Sequence, residues 1–249
     1  MRREEYLIHS ELEDVHWWFC GRREIIFSLL KKAYGNLQHA TLLEIGCGTG
    51  GNLRFFAPFC ARVTGTDTSP LAIELARKKT KAELILGDFR DLLAHRSHEF
   101  DVILLLDVLE HIEDDASFLN DLVRLMAPGA RLVVTVPTHA FLWSDHDVAL
   151  GHQRRYAPKA LSDLFANTSL HVYFTSPFNT LLFPPIALMR TMQRLFPGAE
   201  KPISSDLNQP PFLLNQLLRG ILGMEKYWMR VFRLPFGVSH VIIAQKPAS

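Results

Sequence analysis

The sequence predicts an α/β chain, doubly wound around a mostly parallel sheet, on three observations. Short apolar strands alternate with amphipathic stretches from about residue 41 to 136. A glycine-rich turn, LLEIGCGTGGN, follows the first strand directly. Acidic residues then recur at the C-terminal ends of the strands, where open sheets of this kind bind ligands.

The strand segments are Thr41–Ile45, Arg62–Thr66, Glu83–Leu86, Asp101–Leu106 and Arg131–Val136, each rich in Val, Ile or Leu as strands buried on both faces must be. Helices are predicted over Ser69–Lys79, with a Ser cap and Pro in the first turn, and over Asp115–Met126, closed by Pro128-Gly129. Residues 1–39 read as a helical preface carrying His16-Trp17-Trp18-Phe19 and Arg22-Arg23. Residues 177–236, rich in Pro, Leu and Phe, contain no convincing strand, and Ser239–Ala244 reads as the last strand. Four segments follow: a lid over 1–39, a core over 40–176, an apolar insertion over 177–236, and a final strand and tail over 237–249.

The 249 residues are 48% hydrophobic, enough for a substantial core, and 27 Lys and Arg against 26 Asp and Glu give a net charge of +1. That balance offers no electrostatic footprint for nucleic acid. Cys20, Cys47 and Cys60 are too few and too scattered for a disulfide framework or a zinc cluster. The polar start MRREEYLIHSELED lacks the apolar run of a secretory signal, so a reducing, cytoplasmic setting is expected. Oligomeric state is left open.

Gly46, Gly48 and Gly51 fit the spacing of a dinucleotide fingerprint, whereas a Walker loop needs Lys and Ser or Thr after its last glycine and finds Gly51-Asn52. The acids separate the remaining readings. Glu44 precedes the glycines, Asp67 follows the second strand where a carboxylate can accept ribose hydroxyls, and Asp88 with Phe89 follows the third at the height of a base. Asp107 ends the fourth. LLEIGCGTG, GTDTS, GDF, FDVILLLDVLEHI and the downstream PGARLVVTVP together resemble the class I S-adenosylmethionine-dependent methyltransferases. The resemblance covers about residues 40–136. It implies a Rossmann-like, seven-stranded sheet, an N-terminal helical lid, S-adenosylmethionine as cofactor, and cofactor contacts from Glu44, Gly46, Cys47, Gly48, Gly50, Asn52, Asp67, Thr68, Asp88, Phe89, Leu106 and Asp107. HWWFCGRREII is similar to the family's opening, which implies a lid laying Arg22 over the methionine end of the cofactor and Trp17 beside the acceptor. Plainer readings stand beside these: Asp67 as a helix cap, Asp88 as a turn residue, Leu106 as a strand end and the tryptophans as core. The expected activity is methyl transfer to a small-molecule or lipid-like acceptor, at oxygen in preference to nitrogen or carbon. A non-catalytic cofactor-binding scaffold and an NAD-dependent oxidoreductase are the alternatives.

A base is needed only where the acceptor must lose a proton, and His111, His146 and His152 are the candidates. Glu110 and His111 could equally brace the following helix. In LWSDHDVALGHQRRYAPKAL, Asp145, His146, Asp147 and His152 have no metal-ligand spacing on a helix, so no metal is assigned. Arg154, Arg155 and Tyr156 suit an anionic acceptor, or else salt bridges for the helix after Pro158. The run 170–189 lacks charge, but Pro177, Pro184 and Pro185 interrupt it, so no spanning helix is read. Over 177–236 seven basic residues face three acidic ones, Glu200, Asp206 and Glu225. Such a basic, amphipathic stretch with Trp228 and Phe232 suits either a cover over the acceptor pocket, the favoured reading, or peripheral contact with the inner membrane face, or a dimer interface.

Overall fold

In the computed structural model, which describes residues 2–196, 205 and 207–248, seven strands form one mixed sheet. Glu200, Lys201 and Asp206 of the insertion's charge pattern lie outside those residues. The strands are β1 (Thr41–Ile45), β2 (Arg62–Asp67), β3 (Glu83–Leu86), β4 (Phe100–Leu106), β5 (Met126–Pro137), β6 (His171–Phe178) and β7 (Ser239–Gln245), ordered β3-β2-β1-β4-β5-β7-β6. β1 to β5 run parallel, and β7 lies antiparallel between β5 and β6. The chain order reverses between β1 and β4, so the crevice of the switch point opens above their C-terminal ends. Leu42, Leu43, Val102, Ile103, Leu104 and Leu105 are fully buried there, fixing the register of the two central strands.

The helices are α1 (Arg3–Leu12), α2 (Trp17–Tyr34), α3 (Gly51–Phe56), α4 (Pro70–Arg77), α5 (Asp115–Val123), α6 (Asp145–Leu150), α7 (Pro158–Ala166), α8 (Phe183–Leu195) and α9 (Phe212–Trp228). Ser69 caps α4 through the Ala72 amide with Pro70 at its start, as the sequence foretells. Three expectations need correction. α5 stops at Val123, and Pro128-Gly129 lies inside β5, not at a helix end. β6, absent from the expected strands, forms the sheet's edge. Pro177 is tolerated there because an edge strand need not donate on its outer side. Pro184 and Pro185 do not interrupt a helix; they open α8, where the first-turn amides need no partner.

α9 is fastened to α2 and to the exit of β6. Gly21 lets α9 approach α2 so closely that a Cβ there would stand 2.7 Å from Leu222. Asn215 receives the Trp17 amide (2.9 Å) and donates to the Val15 carbonyl (2.8 Å), while Glu24 binds Arg219 and Lys226, each at 2.7 Å. Glu225, fully buried, accepts the backbone amides of Asn179 (2.6 Å), Thr180 (2.7 Å) and Leu181 (3.1 Å) and so holds the exit from β6. Glu225→Ala leaves three backbone donors without acceptors, two of them buried, and is expected to cost about 2–4 kcal/mol in urea denaturation, with Glu225→Gln costing less because one acceptor oxygen remains.

Candidate active site

The glycine turn is shaped by backbone more than by composition. Gly46, Gly48 and Gly50 have φ of 68°, 54° and 89°, a region that side chains rarely enter. A Cβ on Gly46 would lie 2.6 Å from Val108. Asp67, at the end of β2, locks the turn: Oδ2 accepts the Gly48 amide at 2.9 Å and Oδ1 the Ser69 amide at 2.8 Å. Its cap-like bonding is therefore real, yet the same carboxylate also faces the cleft. Burial raises its pKa, offset in part by those two amides.

The cleft has a volume of about 820 Å³ and runs from the glycine turn to α6 and α8. Gly46, Cys47, Gly48, Asn52, Thr68, Asp88, Phe89 and Leu106 line it together with Glu44, Asp67 and Asp107. Gly50, expected there, does not. It starts α3 and its Cα sits against Ala76 of α4, where an added Cβ would meet that residue at 3.0 Å. Asp88 caps the short 3₁₀ turn 89–92 through the Arg90 amide (2.8 Å), and Phe89 stands edge-on to Phe118, ring centres 4.8 Å apart.

Glu44 is the most constrained acid. It is 2% exposed, and Oε1 accepts Asn52 Nδ2 at 2.6 Å, but Oε2 has no partner. Desolvation pushes its pKa up to about 8. Such an orphaned, cleft-lining oxygen fits a cationic donor and is ill suited to phosphate. Arg22 and Arg23, the cations near the turn, are already engaged. Arg22 pairs with Asp107 and lies over the Trp18 and Phe19 rings. Arg23 donates to Asn52 (3.1 Å) and to the Glu13 carbonyl (3.0 Å). Glu13 in turn takes the Thr49 hydroxyl at 2.6 Å, so the helical preface closes directly onto the glycine turn.

A second cluster forms past β4. Glu110 is fully buried with neither oxygen hydrogen-bonded; desolvation first, and Asp107 second, hold its pKa well above the usual carboxylate range. His111 uses Nδ1 on the Gly151 carbonyl (3.0 Å), and His152 uses Nδ1 on Asp147 (2.9 Å), so both rings turn Nε2 away as the free acceptor. His152 Nε2 lies 3.8 Å from Glu110 Oε1. Burial, with His152 adding to it, lowers His111 to about 4. Glu110, His111 and His152 bring one donor atom each within 4.8 Å, the set of this kind found among the described residues. Two imidazoles and a carboxylate can pass a proton or meet a divalent cation. His146 also lines the cleft, its ring centre 6.3 Å from that of His152.

Of the two readings of the HQRRY stretch, salt bridges describe most of what is built. Asp147 is fully buried, and Arg155 grips it with Nε at 2.8 Å and Nη2 at 3.0 Å. Burial alone would raise the Asp147 pKa, but hydrogen bonds from His152 and Arg155 bring it well below the usual range. Arg155 still borders the cleft. Arg154 and Tyr156 do not: both turn to Asp115, at 3.1 and 2.7 Å, and brace α5 and α7. Trp17 and Arg22 line the cleft from the lid. Sequence reasoning missed His9, Asn179, Ile186 and Met189, which also line it. Asn179 holds φ at 60° with its Oδ1 buried and unpaired, and no local signal in the sequence marks it.

Residues 43–134 match the methyltransferase domain family. The demethylmenaquinone methyltransferase of Tropheryma whipplei (strain Twist) is 34% identical over 139 residues, 53% of either chain. The mitochondrial ubiquinone biosynthesis O-methyltransferase of Schizosaccharomyces pombe is 35% identical over 108 residues, 41% of this chain and 39% of that one. The chain thus spans about half or less of the length of these curated relatives. Among solved structures, a SAM-dependent methyltransferase from Archaeoglobus fulgidus superposes with a TM-score of 0.57 at 16% identity, covering 90% of this chain and 94% of that one, a likeness of fold.

Proposed function

From a chain whose residues 43–134 belong to the methyltransferase domain family, on the class I S-adenosylmethionine-dependent methyltransferase fold, we propose an enzyme that methylates a small-molecule or lipid-like acceptor at oxygen. The observation that carries this reading is the acidic crevice at the glycine turn. Its buried Glu44 oxygen lacks a donor, and its nearby arginines are already engaged. When bound, S-adenosylmethionine supplies an activated methyl group on a sulfonium. Glu44 takes the ammonium of the methionine end, Asp67 the ribose hydroxyls, and Asp88 and Phe89 the adenine. Arg22 holds Asp107 and, with Trp17, keeps the lid helix α2 over the cleft and water out of it. The quinone-related names of the relatives support a small-molecule acceptor that is largely apolar.

On the acceptor side, His152 receives the hydroxyl proton at Nε2. Asp147 holds its tautomer and Arg155 holds Asp147, while His111, held at about 4 by burial, is neutral at neutral pH. Titration calorimetry tests the cofactor assignment: S-adenosylmethionine binds and NAD does not. Asp67→Ala, folded by chemical denaturation, weakens cofactor binding by about 1–3 kcal/mol. Preference for NAD, or unchanged affinity in Asp67→Ala, contradicts it. Asp147→Asn is expected to lower labelled methyl transfer into a lipid extract of cells by tenfold or so while leaving cofactor affinity unchanged.

A further inference from the structure

The outward faces of α8 and α9 have no role in the sheet or the crevice. On α9, Leu213, Leu217, Gly220, Met224, Tyr227 and Val231 just beyond it recur at helical spacing, all exposed, with Leu213 at 80% and Val231 at 83%. The opposite face carries the contacts to α2. α8 repeats the pattern with Leu188, Met192 and Leu195, exposed Leu181 stands in the turn before it, and Met189 beside this stripe also lines the cleft. Monomers rarely leave such stripes in water without a use for them.

The charge around the stripes is one-sided. Among the described residues of 177–236 the basic side chains are Arg190, Arg194, Arg219, Lys226, Arg230 and Arg233. The acid, Glu225, is buried on backbone amides. Arg194, Arg230 and Arg233 form no ion pair with a carboxylate among the described residues, and Tyr227 and Trp228 end α9 where amphipathic rings suit a headgroup layer. No helix among the described residues is long and apolar enough to cross a membrane. We propose that the outward stripes of α8 and α9 lie on a bilayer surface bearing anionic lipids, with Met189 at the edge where an apolar acceptor enters the cleft. A second copy of the chain would set the same basic side chains, whose partners are the Ala140 and Trp143 carbonyls and the Phe174 ring and not carboxylates of the described residues, against each other; anionic headgroups complement them. The entry route rests on the lipid-like acceptor proposed above, whereas the docking itself does not.

Flotation of the full chain with vesicles tests the docking without cofactor or acceptor. The protein is expected to float with phosphatidylcholine–phosphatidylglycerol vesicles, to float poorly with phosphatidylcholine alone, and to be released by salt. The exposed triple variant Leu188→Gln/Leu213→Gln/Leu217→Gln should lose about tenfold in partitioning, with thermal midpoint and S-adenosylmethionine affinity unchanged. Arg230→Gln/Arg233→Gln should flatten the dependence on phosphatidylglycerol. Equal partitioning of wild type and triple variant overturns the proposal. So does absence of flotation together with a wild-type dimer, by analytical ultracentrifugation, that the triple variant dissociates. Flotation without cofactor binding would leave the docking standing and remove the enzymatic reading instead.

Discussion

Carboxyl groups held out of water at the ends of β1 and β4 are the constraint on which the rest of this structure depends. Glu44 and Glu110, both buried, and the partly exposed Asp107 sit around one crevice, where ionising a buried carboxyl forfeits hydration worth several kcal/mol unless something replaces it. The protein supplies part of the replacement. Asn52 takes one oxygen of Glu44, and Arg22 pairs with Asp107, which ties α2 to the edge of the crevice. Glu44 Oε2 and both oxygens of Glu110 are left without donors. Uncompensated polar atoms of that kind destabilise the free fold and favour whatever cation or proton donor enters.

Much of this was legible in the sequence because strand ends and chemistry coincide. The acids that separate one nucleotide-binding turn from another stand at or just past the C-terminal ends of β1, β2, β3 and β4, and parallel strands bring those positions to one edge. The three positive-φ glycines follow from the same logic. Gly50 and Gly51 show its limit. Gly50 makes room for Ala76 and Gly51 for the Glu13 carboxylate, so their smallness serves the protein's own packing.

Where reading failed, the deciding partner was distant or a local signal had two meanings. Arg154, Arg155 and Tyr156 suited an anionic acceptor or salt bridges alike; Asp115 and Asp147 bind them, and nothing in the linear pattern says which acids are buried. β6 escaped notice because an edge strand half in water needs no continuous apolar run. Pro184 and Pro185 read as breakers although the first turn of a helix accepts proline. The exposed stripes of α8 and α9 were visible only as hydrophobicity; that they face outward depends on which side α2 occupies.

Glu44 offers the most direct test of the central claim, that this crevice is built for a cation-bearing nucleoside. Held at about 8 by burial, its carboxyl keeps a proton at pH 7 in the free protein, and a bound ammonium beside Oε2 must displace that proton. Calorimetry of S-adenosylmethionine binding at pH 7, repeated in buffers of different ionisation enthalpy, counts it. The account predicts that wild type releases a proton on binding, up to one per cofactor, that Glu44→Gln does not, and that the variant binds more weakly. Equal proton release and equal affinity in the two proteins would contradict it.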